Sequence, residues 1–166
     1  MMHPAALDSA ALLAECREIR TKRSGPGGQH RNKTETAVVL THLPTGLTAE
    51  ASERRSQSEN RRMALWRMRL RLAIEHRVPP VSAGPSVRWR SRSRDGRLAV
   101  SIEHDDYPPL IAEALDHLDA ARGDVPRVAD ALDVTPTQFV KLFKKHPAAW
   151  IALARLRDHH GQSPLK

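Results

Sequence analysis

The sequence predicts an α+β fold in which a small sheet-and-helix domain precedes a helical module. β-branched and apolar residues at positions 36–40 and 47–51 flank a Pro-Thr-Gly turn, which predicts a β-hairpin. A long run of helix-forming residues follows, and beyond residue 105 apolar residues recur at helical spacing in short segments. We therefore predict a domain over residues 1–80 with a hairpin or sheet and a long basic helix, a linker over 81–104, and a small all-α, helix-turn-helix-like module over 105–166.

The first element is predicted as a short helix over residues 8–20, capped by Asp8 or Ser9. Its apolar residues share one face at helical spacing: Leu12, Leu13, Cys16 and Ile19. Residues 24–29 follow it and contain three glycines and one proline. Such a composition disfavours both helix and strand, so this segment is predicted as a loop.

The long helix is predicted to begin at a cap on Ser56 or Ser58 and to end near His76, before Pro79 and Pro80. An apolar stripe runs along it: Met63, Ala64, Leu65, Met68 and Leu72. Arginines surround this stripe. Residues 78–94 carry arginines at alternating positions and are predicted as a linker or an irregular strand.

Four helices are predicted in the carboxy-terminal module, over residues 108–121, 128–132, 136–145 and 148–157. The second and third are joined by a short turn and resemble a helix-turn-helix. In a nucleic-acid or ribosome anchor, the polar residues of the second of these helices would make the contacts: Gln138, Lys141, Lys144 and Lys145. Because residues 95–166 carry a net charge of −2, a packed helical bundle that binds protein or nothing is the favoured alternative to DNA binding.

Charge is distributed unevenly along the chain. The formal net charge is +8, but residues 17–94 contain 18 Lys and Arg against 6 Asp and Glu, so all of the excess lies in that segment. A polyanionic partner is therefore expected. Aromatic residues make up only 4% of the chain, which disfavours base stacking and favours phosphate contacts.

Several function classes are disfavoured by composition. Cys16 is the single cysteine, so neither an internal disulfide nor a thiolate metal cluster is expected, and no metal or other cofactor is predicted. The first residues lack a basic stretch followed by an apolar core, and no run of 18 apolar residues occurs. We expect a cytoplasmic monomer without a membrane partner.

The glycine-rich segment admits three interpretations from its residues alone: an anion-binding nest, a structural turn, or a catalytic loop that needs backbone amides in a conformation open only to glycine. It lacks the glycine spacing of a dinucleotide-binding motif and the Gly-Lys-Ser/Thr ending of a P-loop.

Residues 23–38, Arg-Ser-Gly-Pro-Gly-Gly-Gln-His-Arg-Asn-Lys-Thr-Glu-Thr-Ala-Val, closely resemble the signature of the bacterial-type class I peptide chain release factors. Residues 41–46, Thr-His-Leu-Pro-Thr-Gly, are similar to the hairpin turn of that family, and residues 53–60 to the start of its long basic helix. The likeness covers about residues 15–73, with three motifs in the same order.

This resemblance implies hydrolysis of the ester between a nascent peptide and tRNA at the peptidyl transferase centre of the large ribosomal subunit, with water as the nucleophile. The catalytic loop would be Gly27, Gly28 and Gln29, in which the Gln29 backbone amide stabilises the transition state and its side chain shapes the water site. RNA or substrate contacts would come from neighbouring residues: Ser24, Gly25, Pro26, His30, Arg31, Asn32, Lys33, Arg54, Arg55, Gln57, Asn60, Arg61 and Arg62. Gln57 and Asn60 are also candidates for holding the start of the helix in place.

Only 22 residues precede Arg23, so no stop-codon-reading domain is expected and the resemblance favours codon-independent ribosome rescue. The end of the chain, however, lacks the strongly basic tail of codon-independent rescue hydrolases. Two alternatives stay open: a non-catalytic ribosome- or RNA-binding factor, and a DNA-binding regulator that acts through the helix-turn-helix.

Overall fold

A computed structural model of the protein describes residues 1–22 and 35–166. These residues form helices and small antiparallel sheets, so the predicted α+β fold class is confirmed. The chain divides into two compact units, one over Leu7–Leu72 and one that combines Met1–Ala6 with Ala73–Lys166. No helix in the described ranges is both long and apolar enough to cross a membrane.

The unit over Leu7–Leu72 contains a three-stranded antiparallel sheet. Its strands are β1 (Cys16–Thr21), β2 (Ala37–His42) and β3 (Thr48–Ala51), with β2 in the centre. Along β2 the side chains of Val38 and Leu40 are fully buried. The predicted hairpin is therefore present. Gly46, at its turn, has a φ of 73°, a left-handed conformation that glycine adopts without strain.

The predicted helix over residues 8–20 is wrong in its second half. Helix α1 covers only Ser9–Ala14, and the Asp8 side chain accepts a hydrogen bond from the Ala11 amide at 2.8 Å, as expected of an amino-terminal cap. From Cys16 onwards the chain pairs with β2, and Cys16 lies opposite His42. This long-range ladder outweighs the local helical spacing of the apolar residues.

The long helix α2 covers Gln57–Glu75, close to the predicted bounds. Of the two predicted caps, Ser56 is confirmed: its hydroxyl accepts a hydrogen bond from the Glu59 amide at 3.3 Å. Ala64, Met68 and Leu72 are fully buried. The helix is also joined to β3, because the Arg71 side chain donates a hydrogen bond to the Thr48 carbonyl at 2.6 Å.

The second unit contains five further helices and a two-stranded hairpin. After a 3₁₀ turn at Pro4–Ala6, its elements are α3 (Val87–Arg92), β4 (Ser93–Arg94), β5 (Arg97–Leu98), α4 (Tyr107–Ala120), α5 (Val125–Ala131), α6 (Pro136–Lys144) and α7 (Pro147–His159). Helices α4 to α7 correspond to the four predicted helices, and α5 begins three residues earlier because Asp124 caps it. The largest buried side chains of the unit are aromatic: Trp89, Tyr107, Phe139 and Phe143.

The segment predicted as a linker over 81–104, or as an irregular strand within 78–94, instead holds α3 and the β4–β5 hairpin. Ser86 caps α3 by accepting a hydrogen bond from the Trp89 amide at 3.0 Å. The Trp89 indole is fully buried and donates to the Leu132 carbonyl at 2.9 Å. This buried aromatic side chain anchors α3 within its unit. The hairpin lies before residue 105, and residues 105–166 contain four helices and no strand, as predicted. The division into functional domains over 1–80 and 105–166 stays a prediction.

Candidate functional site

The predicted catalytic loop lies outside the described residues, as do all positions from 23 to 34. This applies to Gly27, Gly28 and Gln29, and to the predicted contacts Ser24, Gly25, Pro26, His30, Arg31, Asn32 and Lys33. Both ends of the loop are described. It leaves from the end of β1 and returns at the start of β2, where Thr21 lies opposite Ala37. Its two ends are therefore adjacent in the sheet.

The strand before the loop is tied to α2 by a carboxylate, Glu18. Its two oxygens accept hydrogen bonds from Arg20 Nε at 3.0 Å and from Arg61 Nε at 2.7 Å. Burial alone raises the pKa of Glu18, but the hydrogen bonds from Arg61 and Arg20 outweigh burial, and the pKa is lowered from its ordinary value. Glu18 thus stays ionised and links the departing strand to the first turns of the helix.

The segment after the loop is held by two amide side chains of α2. Gln57 Nε2 donates to the Glu35 carbonyl at 2.7 Å. Asn60 Nδ2 donates to the carbonyls of Thr36, at 2.8 Å, and Arg54, at 2.9 Å, while its Oδ1 accepts from the Arg54 amide at 2.9 Å. One buried side chain therefore joins the end of the loop, the turn before the helix and the helix itself.

Of the two roles expected for Asn60, the structure supports the one in which it holds the start of the helix. Its side chain is fully buried and both amide hydrogens are engaged, so this side chain is not placed to contact RNA. Gln57 is half-buried, and its contact to Glu35 gives it the same positioning role. The first two turns of α2 thus hold the strand before the loop, at Glu18, and the segment after it, at Glu35 and Thr36. We call these contacts the clamp.

Three arginines at this end of α2 are exposed: Arg54, Arg55 and Arg62. Arg61 is 46% exposed and shares its charge with Glu18. The start of a helix also carries a partial positive charge, because its first backbone N–H groups have no partner within the helix. A cationic surface therefore lies beside the base of the loop, and phosphate is the group it suits best.

Arginines farther along the chain are used to hold the fold. Arg67 donates to the Glu50 carbonyl at 2.8 Å and also pairs with Glu53. The hydrogen bond from Arg67 is the main cause that lowers the pKa of Glu53 to about 2. Arg77 pairs with Asp116 at 2.9 Å. The net positive charge of the sequence thus overstates the cations available to a partner.

His42 and Cys16 lie near the hairpin, and their contacts indicate structural rather than catalytic roles. His42 is buried between Thr45 Oγ1, at 2.8 Å, and Glu15 Oε2, at 2.9 Å. Burial, followed by the charge of Glu15, raises the pKa of the Cys16 thiol, which makes it a poor nucleophile. Within residues 1–22 and 35–166, no group of three His, Cys, Asp or Glu side chains is placed to hold a metal ion.

Comparison with known families identifies this sheet and helix. The model of the RF-1 domain matches residues 13–98, which is just over half of the chain. The chain belongs to the class I release-factor family. The match contains the sheet, the loop sequence and α2, and it continues through α3 to the end of β5. It thus extends beyond the likeness over residues 15–73 expected from the motifs.

Several curated release factors are similar to this family member. Peptide chain release factor 1 of Acidiphilium cryptum is 40% identical over 87 residues, which cover 52% of this chain and 24% of that protein. Its counterpart in Carboxydothermus hydrogenoformans is 35% identical over 146 residues, 76% of this chain and 40% of that protein. The mouse protein named peptide chain release factor 1-like, mitochondrial, is 51% identical over 59 residues, 35% of this chain and 16% of that protein. The chain spans 40% or less of each of these relatives.

Two features of the candidate site were missed by sequence reasoning. Glu18 was placed on a helix, so its contact with Arg61 was not expected. Cys16 and Glu18 are half-buried whereas Arg17 and Ile19 are exposed, but the sequence shows no matching alternation of apolar and polar residues that could have indicated a strand. The backbone carbonyls of Glu35 and Thr36, which the clamp binds, carry no side-chain signal at all.

Proposed function

We propose that this release-factor family member hydrolyses the ester between a nascent peptide and tRNA on the ribosome. The observation that carries the proposal is the Gly27-Gly28-Gln29 sequence within the matched RF-1 region, between two described segments that one helix holds at Glu18 and at Thr36. Hydrolysis needs a donor placed to within a fraction of an ångström, and a fixed base on both sides of the sequence favours such placement.

In the proposed reaction, a water oxygen attacks the ester carbonyl carbon and the carbonyl oxygen becomes an oxyanion. The backbone N–H of Gln29 donates a hydrogen bond to the charge that develops in this step, and its side chain excludes nucleophiles larger than water. Collapse of the intermediate breaks the bond to the 3′ oxygen of the tRNA, which leaves with a proton. Gly27 and Gly28 permit the backbone turn that directs this amide inward.

The proposed partners are peptidyl-tRNA and large-subunit rRNA at the peptidyl transferase centre. Arg54, Arg55 and Arg62 would contact phosphates, with Arg61 contributing beside Glu18. The loop positions named above, from Ser24 to Lys33, would approach substrate and rRNA directly. Gln57 and Asn60 are proposed as positioning residues. Such partners place the protein in the cytoplasm, where we propose that it acts as a monomer and without a cofactor.

The role of the Gln29 amide is tested by peptide release from ribosomal complexes with two variants of one residue. Gln29→Ala keeps the backbone N–H and is expected to lose part of the discrimination against larger nucleophiles. Gln29→Pro removes the N–H, and we expect kcat to fall by roughly 100- to 1000-fold, the usual effect of losing one oxyanion donor. Ribosome binding by both variants serves as the control for folding. Equal release by Gln29→Pro and the unaltered protein would contradict the mechanism.

We further propose that release is independent of the codon in the ribosomal A site. The same assay, run on ribosomes that present a stop codon, a sense codon or no codon, should then give similar rates. Release confined to stop codons would overturn this part of the proposal and leave the chemistry intact. Ribosome binding with no release on any complex would instead support a non-catalytic RNA-binding factor.

A further inference from the structure

The carboxy-terminal unit has a charge pattern that its net charge of −2 over residues 95–166 conceals. Several of its acids are held by other groups of the same unit. Asp116 pairs with Arg77 at 2.9 Å, Asp119 with His160 at 2.7 Å, and Asp106 with Arg92 at 2.7 Å. Asp116 and Asp106 are paired with arginines and largely buried, so these two carboxylates contribute little charge to the outer surface. Exposed cations of the unit occur on helix α6 and on the β4–β5 hairpin.

Helix α6 presents two lysines on one face. Lys141 and Lys144 are three residues apart and exposed, and the segment from Pro136 to Lys145 contains no acid. The opposite face, with Phe139 and Phe143, is buried. The Lys144 ammonium lies 5.2 Å from the centroid of the Trp150 ring, a cation–π distance that restrains its position. Lys145 is excluded from this face because it donates to the Val100 carbonyl.

The β4–β5 hairpin presents two arginines on one side. Arg94 lies directly opposite Arg97. Both are exposed, whereas their strand neighbours Ser93 and Leu98 are half-buried. Side chains of directly opposed residues project from the same side of a hairpin. Two like charges in that arrangement repel each other, and an anion placed between them removes the repulsion.

The hairpin and the helix are adjacent. The Thr135 amide, at the start of α6, donates to the Gly96 carbonyl at 3.0 Å, and the Leu98 amide donates to Gln138 Oε1 at 3.3 Å. We call the four exposed cations Arg94, Arg97, Lys141 and Lys144 the helix–hairpin surface. Two exposed carboxylates lie at its turns: Asp95, 3.7 Å from Arg94, and Asp133. The surface retains a net charge of +2.

We propose that the helix–hairpin surface binds the phosphates of double-stranded RNA. The choice of RNA, rather than of another polyanion, rests on the proposed function. Lysine ammonium and arginine guanidinium groups both bind phosphate oxygens, and contacts to phosphates carry no base information. The major groove of A-form RNA is too narrow and deep for a helix such as α6, so its lysines meet the backbone across the shallow groove. Binding is therefore independent of base sequence and strongly dependent on salt.

The test is a titration of the full-length protein against a short RNA duplex at several salt concentrations. The variant Lys141→Gln/Lys144→Gln removes two charges from the helix–hairpin surface. The matched control Arg122→Gln/Arg155→Gln removes two charges from exposed arginines outside it. We expect the first variant to lower the slope of log K against log salt by about 2, since each lost phosphate contact contributes about 0.9 in a duplex. The control should leave the slope unchanged.

Equal decreases of the slope in the two variants would show that only the net charge of the protein matters, and would overturn the proposal. An unchanged slope in the lysine variant would overturn it as well. If the lysine variant lowers the slope more with a DNA duplex of the same sequence than with the RNA duplex, the assignment to RNA is overturned. Peptide release separates this proposal from the hydrolase proposal. The lysine variant should raise KM on ribosomes and leave kcat unchanged, whereas absence of release by the unaltered protein refutes the hydrolase and not the duplex binding.

Discussion

Asn60 is the residue on which the base of the loop depends most. It is the point where the strand that leaves the loop, the turn before α2 and the helix are joined by hydrogen bonds to a single buried amide. The Thr36 carbonyl is left without a partner once the side chain is removed, because its hydrogen bond to Asn60 is buried and Thr36 is only 4% exposed. The clamp is therefore both a stability feature and a positioning feature.

Replacing Asn60 by Ala should lower the free energy of unfolding by about 2–3 kcal/mol, since the buried Thr36 carbonyl and the part-buried backbone groups of Arg54 lose their partner. Gln57→Ala is the matched comparison, because it also deletes a side-chain amide that holds the segment after the loop. Gln57 is more exposed than Asn60, so its replacement should lower the free energy of unfolding by about 1 kcal/mol or less. Chemical denaturation measures both. A loss in Asn60→Ala no larger than that in Gln57→Ala would show that the buried clamp is not a main support of the fold.

At the scale of elements, the amino-terminal 3₁₀ turn is anchored by a neutral histidine. His3 Nε2 donates to the His76 carbonyl at 3.0 Å, and His3 Nδ1 accepts from the Ala5 amide at 3.0 Å. Both bonds fit the neutral ring with its proton on Nε2, and the side chain is 8% exposed. Burial is the main cause that lowers the pKa of His3 to about 4, and the positive charge of Arg77 adds to it.

This pKa sets a direction for the pH dependence of stability. The contribution of His3 is fully present above pH 6.5, its ordinary pKa, and is lost progressively as the pH falls from 6.5 to about 4, because only the unfolded chain binds the proton in that range. Denaturation curves recorded across this range should show a steeper loss in the unaltered protein than in His3→Gln, which does not titrate. Parallel pH profiles of the two proteins would contradict the assignment of a neutral, anchoring histidine.

Elements with local signals were predictable from the sequence, and elements fixed by distant partners were not. The Pro-Thr-Gly turn, the Ser56 cap and the spacing of Ala64, Met68 and Leu72 are contained within a few residues, so the hairpin and α2 were placed correctly. β1 was missed because its partners lie some twenty residues away. Helix α3 was missed because its helical spacing rests on one buried side chain, Trp89, among alternating arginines.

The same distinction applies to the candidate site. The loop sequence and the basic helix start are contiguous motifs, and they led to the family to which the chain belongs. The contacts of Glu18 with Arg61, and of Asn60 with Thr36, join residues whose proximity depends on strand register. No pattern within one segment specifies such pairs, so the clamp emerges only from the folded structure.

At the scale of the whole molecule, the charge of the sequence divides into cations that hold the fold and cations that face outward. Arg67, Arg71 and Arg77 bind carbonyls or carboxylates of the protein. Exposed arginines remain beside the base of the loop, and the helix–hairpin surface adds a second group in the other unit. Under the proposed function, the first group serves the reaction site, and the second strengthens ribosome binding without taking part in hydrolysis.

The most direct test of the proposed hydrolase is the rate of peptide release measured with the same peptidyl-tRNA bound to ribosomes and free in solution. The proposal predicts rapid release on ribosomes, its loss in Gly28→Ala, and no acceleration on free peptidyl-tRNA, because the ribosome supplies the surroundings in which the Gln29 amide meets the ester. Release on ribosomes no faster than the spontaneous rate, or equal acceleration on the free substrate, would contradict it.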